Sequence, residues 1–121
     1  MTDNRKRLGA FGERVAGEYL KKHGYKILQT NFRCSGGEID IVAQDGHCIA
    51  FVEVRTKRDW QYGTPEESIT PTKKAKLIEL AQTYVQENCE ASQFWRIDVV
   101  AIEIGQRGQI ARIELIQNAV E

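Results

Sequence analysis

The stretch that decides the fold is residues 38–56, EIDIVAQDGHCIAFVEVRT. Two runs rich in β-branched and apolar residues, 38–43 and 48–56, flank the dipeptide Asp45-Gly46. Asp-Gly between such runs is a strong signal for a β-hairpin. We therefore predict two antiparallel strands joined by a two-residue turn at Asp45-Gly46.

Acidic side chains gather on one face of this hairpin, because side chains alternate along a strand. The predicted turn places Asp40 opposite Phe51 and leaves Glu53 as a diagonal neighbour of Asp40, about 7–8 Å away at Cα. Glu53 is also the only charge in the apolar run 48–54, and a charge in a buried run usually has a partner or a role in function. The face can be a solvated surface or a site that shares a divalent cation. Its members are Glu38, Asp40, Phe51, Glu53 and Arg55.

Outside the hairpin, helical and strand periodicities predict the remaining elements. Pro71 is acceptable in the first turn of a helix, so the second helix opens at Thr70-Pro71. The order α-β-β-β-α-β-β predicts an α/β fold, a mixed central sheet of about five strands flanked by helices, in one domain over residues 1–121. The crossover from 56 to 94 is long enough for a parallel return. The other predicted elements are a helix over 8–23 closed by Gly24, a strand over 25–33, a loop over 59–69, and strands over 94–104 and 109–116.

Composition narrows the class of protein. The chain has 121 residues, of which 41% are hydrophobic and 28% charged, with a formal net charge of zero. This excludes a disordered chain, and no apolar run approaches the length of a membrane span. Three cysteines without a C-x-x-C pair argue against a disulfide framework. Since the N-terminus also lacks the apolar core of a secretory signal, we expect a cytoplasmic protein.

Two motifs carry a resemblance to known nucleases. The run GGEIDIVAQDGHCIAFVEVRTK resembles the D-x(n)-[DE]-x-K signature of PD-(D/E)XK nucleases, with Asp40, Glu53 and Arg55 at its three positions. The opening LGAFGERVAGEYLKKHGY is similar to the first helix of archaeal Holliday junction resolvases and places Glu13 at that helix's acidic position. The whole chain resembles the YraN-like family of small bacterial proteins through GERVAGEYL, GGEIDIVAQDG, FVEVRTK and RIDVVAI.

The resemblance implies a restriction-endonuclease-like core and metal-dependent cleavage of DNA, including branched or damaged DNA, by an endonuclease that acts as a homodimer. It implies that Asp40, Glu53 and the Val54 carbonyl, assisted by Glu13, hold Mg²⁺ or Mn²⁺. Position 55 departs from the signature, since it is Arg rather than Lys. An arginine keeps its proton, so Arg55 cannot act as a general base, but it can stabilise developing negative charge.

Basic residues supply candidate contacts to DNA phosphates, although the alternative for each is a solvated surface position. Lys57 is also a candidate substitute for the missing motif lysine. Trp60 and Tyr62 are candidates to stack on bases or to pack over a helix. The predicted phosphate-binding residues are Arg5, Lys6, Arg7, Lys57, Arg58, Lys73, Lys74 and Lys76.

Two further functions remain open at this point. One is a catalytically inactive nucleic-acid-binding protein that retains the nuclease fold, which the arginine at position 55 and the zero net charge favour. The other is a metal-free assembly module. Asp98 in RIDVVAI echoes Asp40, but no acid-x-basic pair follows it. We therefore interpret Asp98 as a structural residue and salt-bridge partner.

Overall fold

The computed structural model describes residues 4–58 and 63–120. Within these ranges the elements follow the predicted order, and a short 3-10 helix, Glu66–Ser68, lies in the predicted loop. The helices and strands are α1 (Asn4–Lys22), β1 (Lys26–Cys34), β2 (Gly37–Asp45), β3 (Cys48–Lys57), α2 (Pro71–Asn88), β4 (Phe94–Ile104) and β5 (Ile110–Val120). No helix in the described ranges is long and apolar enough to cross a membrane.

The five strands form one mixed sheet in the order β1-β2-β3-β4-β5. Strands β3 and β4 pair in parallel, and every other neighbouring pair is antiparallel. The parallel return is made through α2, since a parallel connection must cross from one end of the sheet to the other. The predicted architecture, a mixed five-stranded sheet flanked by helices in the order α-β-β-β-α-β-β, is confirmed.

The two helices pack on opposite faces of the sheet, because neighbouring residues of β2 and β3 point to opposite sides. Helix α1 covers the face that carries Ile41 and Val52, whereas α2 covers the face that carries Val42 and Phe51. Both faces of the central strands are therefore buried. This explains why β3 reads as a nearly continuous apolar run in the sequence.

Helix α2 begins where its sequence predicts. Oγ1 of Thr70 accepts a 3.1 Å hydrogen bond from the backbone N–H of Lys73, and Pro71 occupies the first helical position. This N-cap fixes the first turn of α2, including Lys73, relative to the end of β3.

The predicted register of the central hairpin is wrong by two residues. The turn consists of Gly46 and His47, because Asp45 still pairs with Cys48. Gly46 has φ of 62°, and a glycine at the first turn position is typical of a two-residue hairpin. Val42 therefore lies opposite Phe51, which Asp40 was predicted to face. A shift of two residues keeps Phe51 on its predicted face, because the side-chain period of a strand is two. Ile39 departs from the prediction, since it packs with Val42 and Phe51 rather than with Ile41 and Val52.

Asp98 has the structural role predicted from the sequence. It is fully buried and accepts hydrogen bonds from the Tyr25 hydroxyl, at 3.0 Å, and from Nε of Arg96, at 2.9 Å. The backbone N–H of Asn118 donates to the same carboxylate at 2.9 Å. This cluster joins β4 to β5 and to the start of β1.

Candidate metal centre

The site lies where β2 and β3 stop pairing. Their ladder runs from the Asp45–Cys48 pair to the Ile41–Val52 pair. In a continued ladder the next inward-facing N–H, that of Val54, would bond to a backbone carbonyl of β2. It donates instead to Oδ2 of Asp40 at 2.8 Å. The Asp40 side chain thus lies in the fork between the two strands.

Asp40 and Glu53 meet in this fork. The corrected register sets Glu53 across from Asp40, and Glu53 is 4% exposed. Burial, together with a hydrogen bond to Glu53 and the charge of Glu53, raises the pKa of Asp40 to about 8. Two acids this close cannot both ionise freely unless a cation compensates them.

Two cations of the chain contact Glu53. Nη2 of Arg55 lies 3.1 Å and Nζ of Lys73 lies 3.5 Å from the same oxygen, Oε2. Arg55 lies two residues further along β3, on the same face as Glu53, whereas Lys73 reaches Glu53 from the first turn of α2. Lys73 was predicted as a phosphate contact, and the structure places it among the acids.

Glu13 and Glu38 complete an acidic cluster around Asp40. One carboxylate oxygen of each of these three residues lies within 4.8 Å of the others. Partial burial raises the pKa of Glu13, and the nearby charges of Asp40 and Glu38 add to the effect. Glu13 is brought here by a close approach of α1 to β3, where a side chain on Gly12 would collide with Thr56.

Asn31 lies between Glu13 and Glu38. When its amide is oriented with the nitrogen toward the acids, Asn31 donates to Oε1 of Glu13 and to Oε1 of Glu38, each at 2.7 Å. Its backbone has φ of 55°, a left-handed conformation that is uncommon for a residue other than glycine. Asparagine tolerates this conformation better than most residues. No prediction from the sequence included Asn31.

The donor set fits a hard divalent cation. Mg²⁺ and Mn²⁺ prefer carboxylate and carbonyl oxygens, and this cluster offers three to four carboxylates. The N–H and C=O of one residue face the same neighbour in an antiparallel pair, so the Val54 carbonyl lies on the Asp40 side. A bound cation would also compensate the like charges that raise the pKa of Asp40.

Glu38 belongs to this cluster, although the sequence prediction of metal ligands omitted it. The available signal was its place on the same strand face as Asp40. In the structure Glu38 also pairs with Nε of Arg33 at 3.0 Å. Glu53 lies beside the cluster rather than among its three closest oxygens.

The other predicted phosphate contacts are spread over the surface. Arg5, Lys6 and Arg7 are exposed at the start of α1. Arg7 and Arg58 line a cavity of about 220 Å³ between α1 and the β4–β5 turn.

Of the remaining predicted phosphate contacts, Lys57 and Lys76 contact other residues of the chain and Lys74 is exposed. Nζ of Lys57 donates to the Gly63 carbonyl at 2.9 Å, and Lys74 is exposed on α2. Lys76 pairs with Glu79 at 3.5 Å. Trp60 and Tyr62 lie outside the described residues.

Fold and site together define an α/β protein with a mixed five-stranded sheet between two helices and a carboxylate cluster at the fork of its central strands. The profile of the family described as "Uncharacterised protein family UPF0102" matches residues 12–102. The chain belongs to this family, which confirms the resemblance to the YraN-like proteins.

Relatives match along nearly their whole length. A UPF0102 protein of Dehalococcoides mccartyi is 51% identical over 99% of this chain and 98% of its own. A UPF0102 protein of Caldicellulosiruptor saccharolyticus is 44% identical over 96% of this chain and 98% of its own length. A solved structure, that of Pyrococcus furiosus SfsA in complex with Ca²⁺, has a TM-score of 0.44 and 12% identity. The match covers 98% of this chain and 65% of the SfsA chain, so this chain spans somewhat less than two thirds of SfsA.

Proposed function

We propose that this protein is a metal-dependent endonuclease of the PD-(D/E)XK type that hydrolyses phosphodiester bonds in DNA, with branched or damaged DNA as the substrate. The observation that carries the proposal is the meeting of Asp40 and Glu53 in the fork, beside Glu13 and Glu38. Glu53 is buried and Asp40 is half-buried, and adjacent acids removed from water are costly to the fold. Such a pair, in a set of oxygen donors, supports a role in binding a cation.

The residues that would hold Mg²⁺ or Mn²⁺ are Asp40, Glu53, Glu13 and the Val54 carbonyl. When bound, such a cation polarises a phosphodiester and lowers the pKa of a bound water molecule. The Val54 N–H keeps the Asp40 carboxylate oriented through its 2.8 Å hydrogen bond. Arg55 stays protonated and pairs with Oε2 of Glu53 at 3.1 Å, which places positive charge at the edge of the site.

DNA would be held by the basic side chains predicted from the sequence. Arg5, Lys6 and Arg7 are exposed on α1, and Lys74 is exposed on α2. Together with Lys57, Arg58 and Lys76 they would neutralise backbone phosphates, which makes affinity depend on salt. We include a homodimer in the proposal, because cutting two strands of a branched DNA needs two active sites.

The test is cleavage of labelled four-way junction, duplex and single-stranded DNA with Mg²⁺ or Mn²⁺. We expect cleavage by the wild type, and loss of cleavage in Asp40→Asn and Glu53→Gln. Glu18→Gln is the matched control, because Glu18 is an exposed acid on α1 that forms a salt bridge with the surface residue Lys21. Titration calorimetry with Mn²⁺ should show binding to the wild type and to Glu18→Gln, and weaker binding to Asp40→Asn.

A second candidate is a nucleic-acid-binding protein without turnover. Glu53 is already neutralised by Arg55 and Lys73, so the fold can tolerate this buried acid without a metal. This candidate predicts salt-sensitive DNA binding that Asp40→Asn leaves unchanged, with no cleavage under any metal. Absence of DNA binding would exclude both candidates and leave the assembly module.

A further inference from the structure

The two cations on Glu53 are held differently. Arg55 is a strand neighbour of Glu53, at spacing i, i+2, and its Nη2 approaches to 3.1 Å. Nε of Arg55 is buried and has no hydrogen-bond partner within the described parts of the chain. The Arg55 side chain is 31% exposed, close to the 34% of Lys73, so what distinguishes Arg55 is its spacing on the same strand and its shorter distance to Glu53.

Lys73 approaches Glu53 from another element. Its backbone is fixed by the Thr70 cap, but its ammonium ends a flexible four-carbon stem and is 3.5 Å from Glu53. This distance is longer than a direct N–H···O hydrogen bond of about 2.7–3.2 Å. About a third of the Lys73 side chain, 34%, is exposed to solvent. Lys73 can therefore exchange its partner without moving the fold.

The position of Lys73 suits an anion that binds next to the carboxylates. Its Nζ lies 3.5 Å from Oε2 of Glu53, the acid that meets Asp40 in the fork. Lys73 also lies in the first turn of α2, where the helix dipole favours negative charge. The ammonium and the helix end point to the same kind of ligand, a phosphate oxygen.

We propose that Lys73 is the cation that contacts a non-bridging oxygen of the scissile phosphodiester, while Arg55 is a positioning residue that keeps Glu53 in place. The inference rests on the proposed function. A metal ion bound by the acids would compensate the charge of Glu53 in place of Lys73. The Lys73 ammonium could then contact the phosphate. Lys73 thereby supplies, from a helix, the amine that the strand motif lacks at position 55.

The experiment compares Lys73→Met and Lys73→Arg with the wild type and with Lys21→Met. Lys21 is an exposed lysine of α1, so its loss changes the net charge equally and lies outside the site. Single-turnover cleavage should fall by about 10²–10³-fold in Lys73→Met, as for the loss of a charge-stabilising donor. Lys73→Arg should retain part of the rate, and Lys21→Met should cleave like the wild type.

Binding measurements provide a readout that does not depend on cleavage. In calorimetry with Mn²⁺, Lys73→Met should bind the metal as tightly as the wild type or several-fold tighter, because a competing ammonium is gone. Arg55→Met should bind Mn²⁺ more weakly, because Glu53 loses the partner that orients it. Circular dichroism checks that each variant is folded.

The outcomes separate the two proposals. A wild type that cleaves, with Lys73→Met equally fast, overturns the role of Lys73 and leaves the proposed function intact. Loss of cleavage in Lys73→Met together with a matching loss of Mn²⁺ affinity also overturns it, because Lys73 would then only shape the metal site. A wild type that cleaves no DNA overturns the proposed function, and the role of Lys73 with it.

Discussion

The backbone N–H of Val54 donates a 2.8 Å hydrogen bond to Oδ2 of Asp40, at the point where β2 leaves β3. A side chain thus takes the place of a backbone acceptor in the ladder. The bond fixes the orientation of Asp40 and satisfies an N–H that would otherwise be buried without a partner. It also explains how the strands can separate here and leave room for Glu53 and the neighbouring acids.

We expect Asp40→Asn to stabilise the fold at neutral pH. The folded pKa of Asp40 is about 8 and its ordinary value is 3.8, so the folded state holds a proton that the unfolded state has released. The contribution of Asp40 to the free energy of unfolding therefore falls as pH rises from about 4 to about 8. Asparagine keeps an oxygen for the Val54 N–H and removes the titration. The gain at pH 7.5 should be roughly 1–3 kcal/mol.

The measurement is urea denaturation of wild type and Asp40→Asn at several pH values. The difference between the two should grow from about pH 4 toward pH 8. Glu18→Gln serves as the control, and its free energy of unfolding should change with pH in the same way as that of the wild type. An Asp40→Asn protein that is less stable than the wild type at pH 7.5 would show that Asp40 is not a destabilising buried acid.

Replacement of Asn31 should separate metal affinity from stability. Glycine adopts φ of 55° without strain, so Asn31→Gly should change the free energy of unfolding by less than about 0.5 kcal/mol. Asn31→Ala should lose about 1–2 kcal/mol, because alanine lacks the polar side chain that lets asparagine tolerate the left-handed conformation. Both lose the amide between Glu13 and Glu38, and their Mn²⁺ affinity should fall about tenfold.

The matched control for Asn31 is Asn118. It has φ of 51°, and its contact with Asp98 is made by the backbone N–H, which glycine keeps. Asn118→Gly should therefore leave both stability and Mn²⁺ affinity nearly unchanged. Equal Mn²⁺ affinity in Asn31→Gly and Asn118→Gly would mean that the Asn31 amide does not organise the acids.

Gly12 should resist substitution because of its contact with β3. A Cβ atom at Gly12 would lie 1.9 Å from Oγ1 of Thr56, so Gly12→Ala must push α1 away from the sheet. We expect a loss of about 1–3 kcal/mol in the free energy of unfolding. Since Glu13 follows directly, Mn²⁺ affinity should fall as well.

Gly17 lies in the same helix and provides the control. A Cβ atom there meets nothing within 4 Å, so Gly17→Ala should stabilise the protein by up to about 1 kcal/mol. Adding Thr56→Ala to Gly12→Ala removes the colliding hydroxyl and should recover part of the loss. Thermal denaturation of the set checks this, and a Gly12→Ala protein as stable as Gly17→Ala would refute the close approach.

The Glu66–Arg112 pair should make part of the stability sensitive to acid. Arg112 donates to both oxygens of Glu66, at 2.6 and 3.0 Å, and this hydrogen bonding lowers the pKa of Glu66 to about 2 from 4.5. The contribution of this pair to the free energy of unfolding is complete above pH 4.5 and is lost as pH falls toward 2. Because the pair is partly exposed, Glu66→Gln should cost only about 1 kcal/mol at pH 7.

Denaturation at pH 7 and at pH 2–3 measures this effect. The difference in the free energy of unfolding between wild type and Glu66→Gln should disappear at the lower pH. Glu67→Gln is the control, since Glu67 is the exposed neighbour in the same 3-10 helix. A gap that persists unchanged at pH 2 would mean that the carboxylate charge is not what stabilises the contact.

Much of the fold could be predicted from local patterns. The boundaries of β4 match the predicted strand, and α2 begins at the predicted Thr70-Pro71 cap. The position of the hairpin turn was wrong, because Asp45-Gly46 and Gly46-His47 both place glycine in a two-residue turn. The two turns differ in which residues of β2 lie opposite β3, and the local sequence fits both.

The sequence by itself determined the element order and the acids Asp40 and Glu53, because periodicity and an isolated charge in an apolar run are local signals. The tertiary structure decided which residues surround those acids. Asn31, Glu38 and Lys73 reach the fork through strand pairing and through the packing of α2 on the sheet. Such contacts join residues far apart in the chain, and no spacing rule along the sequence encodes the distance between them.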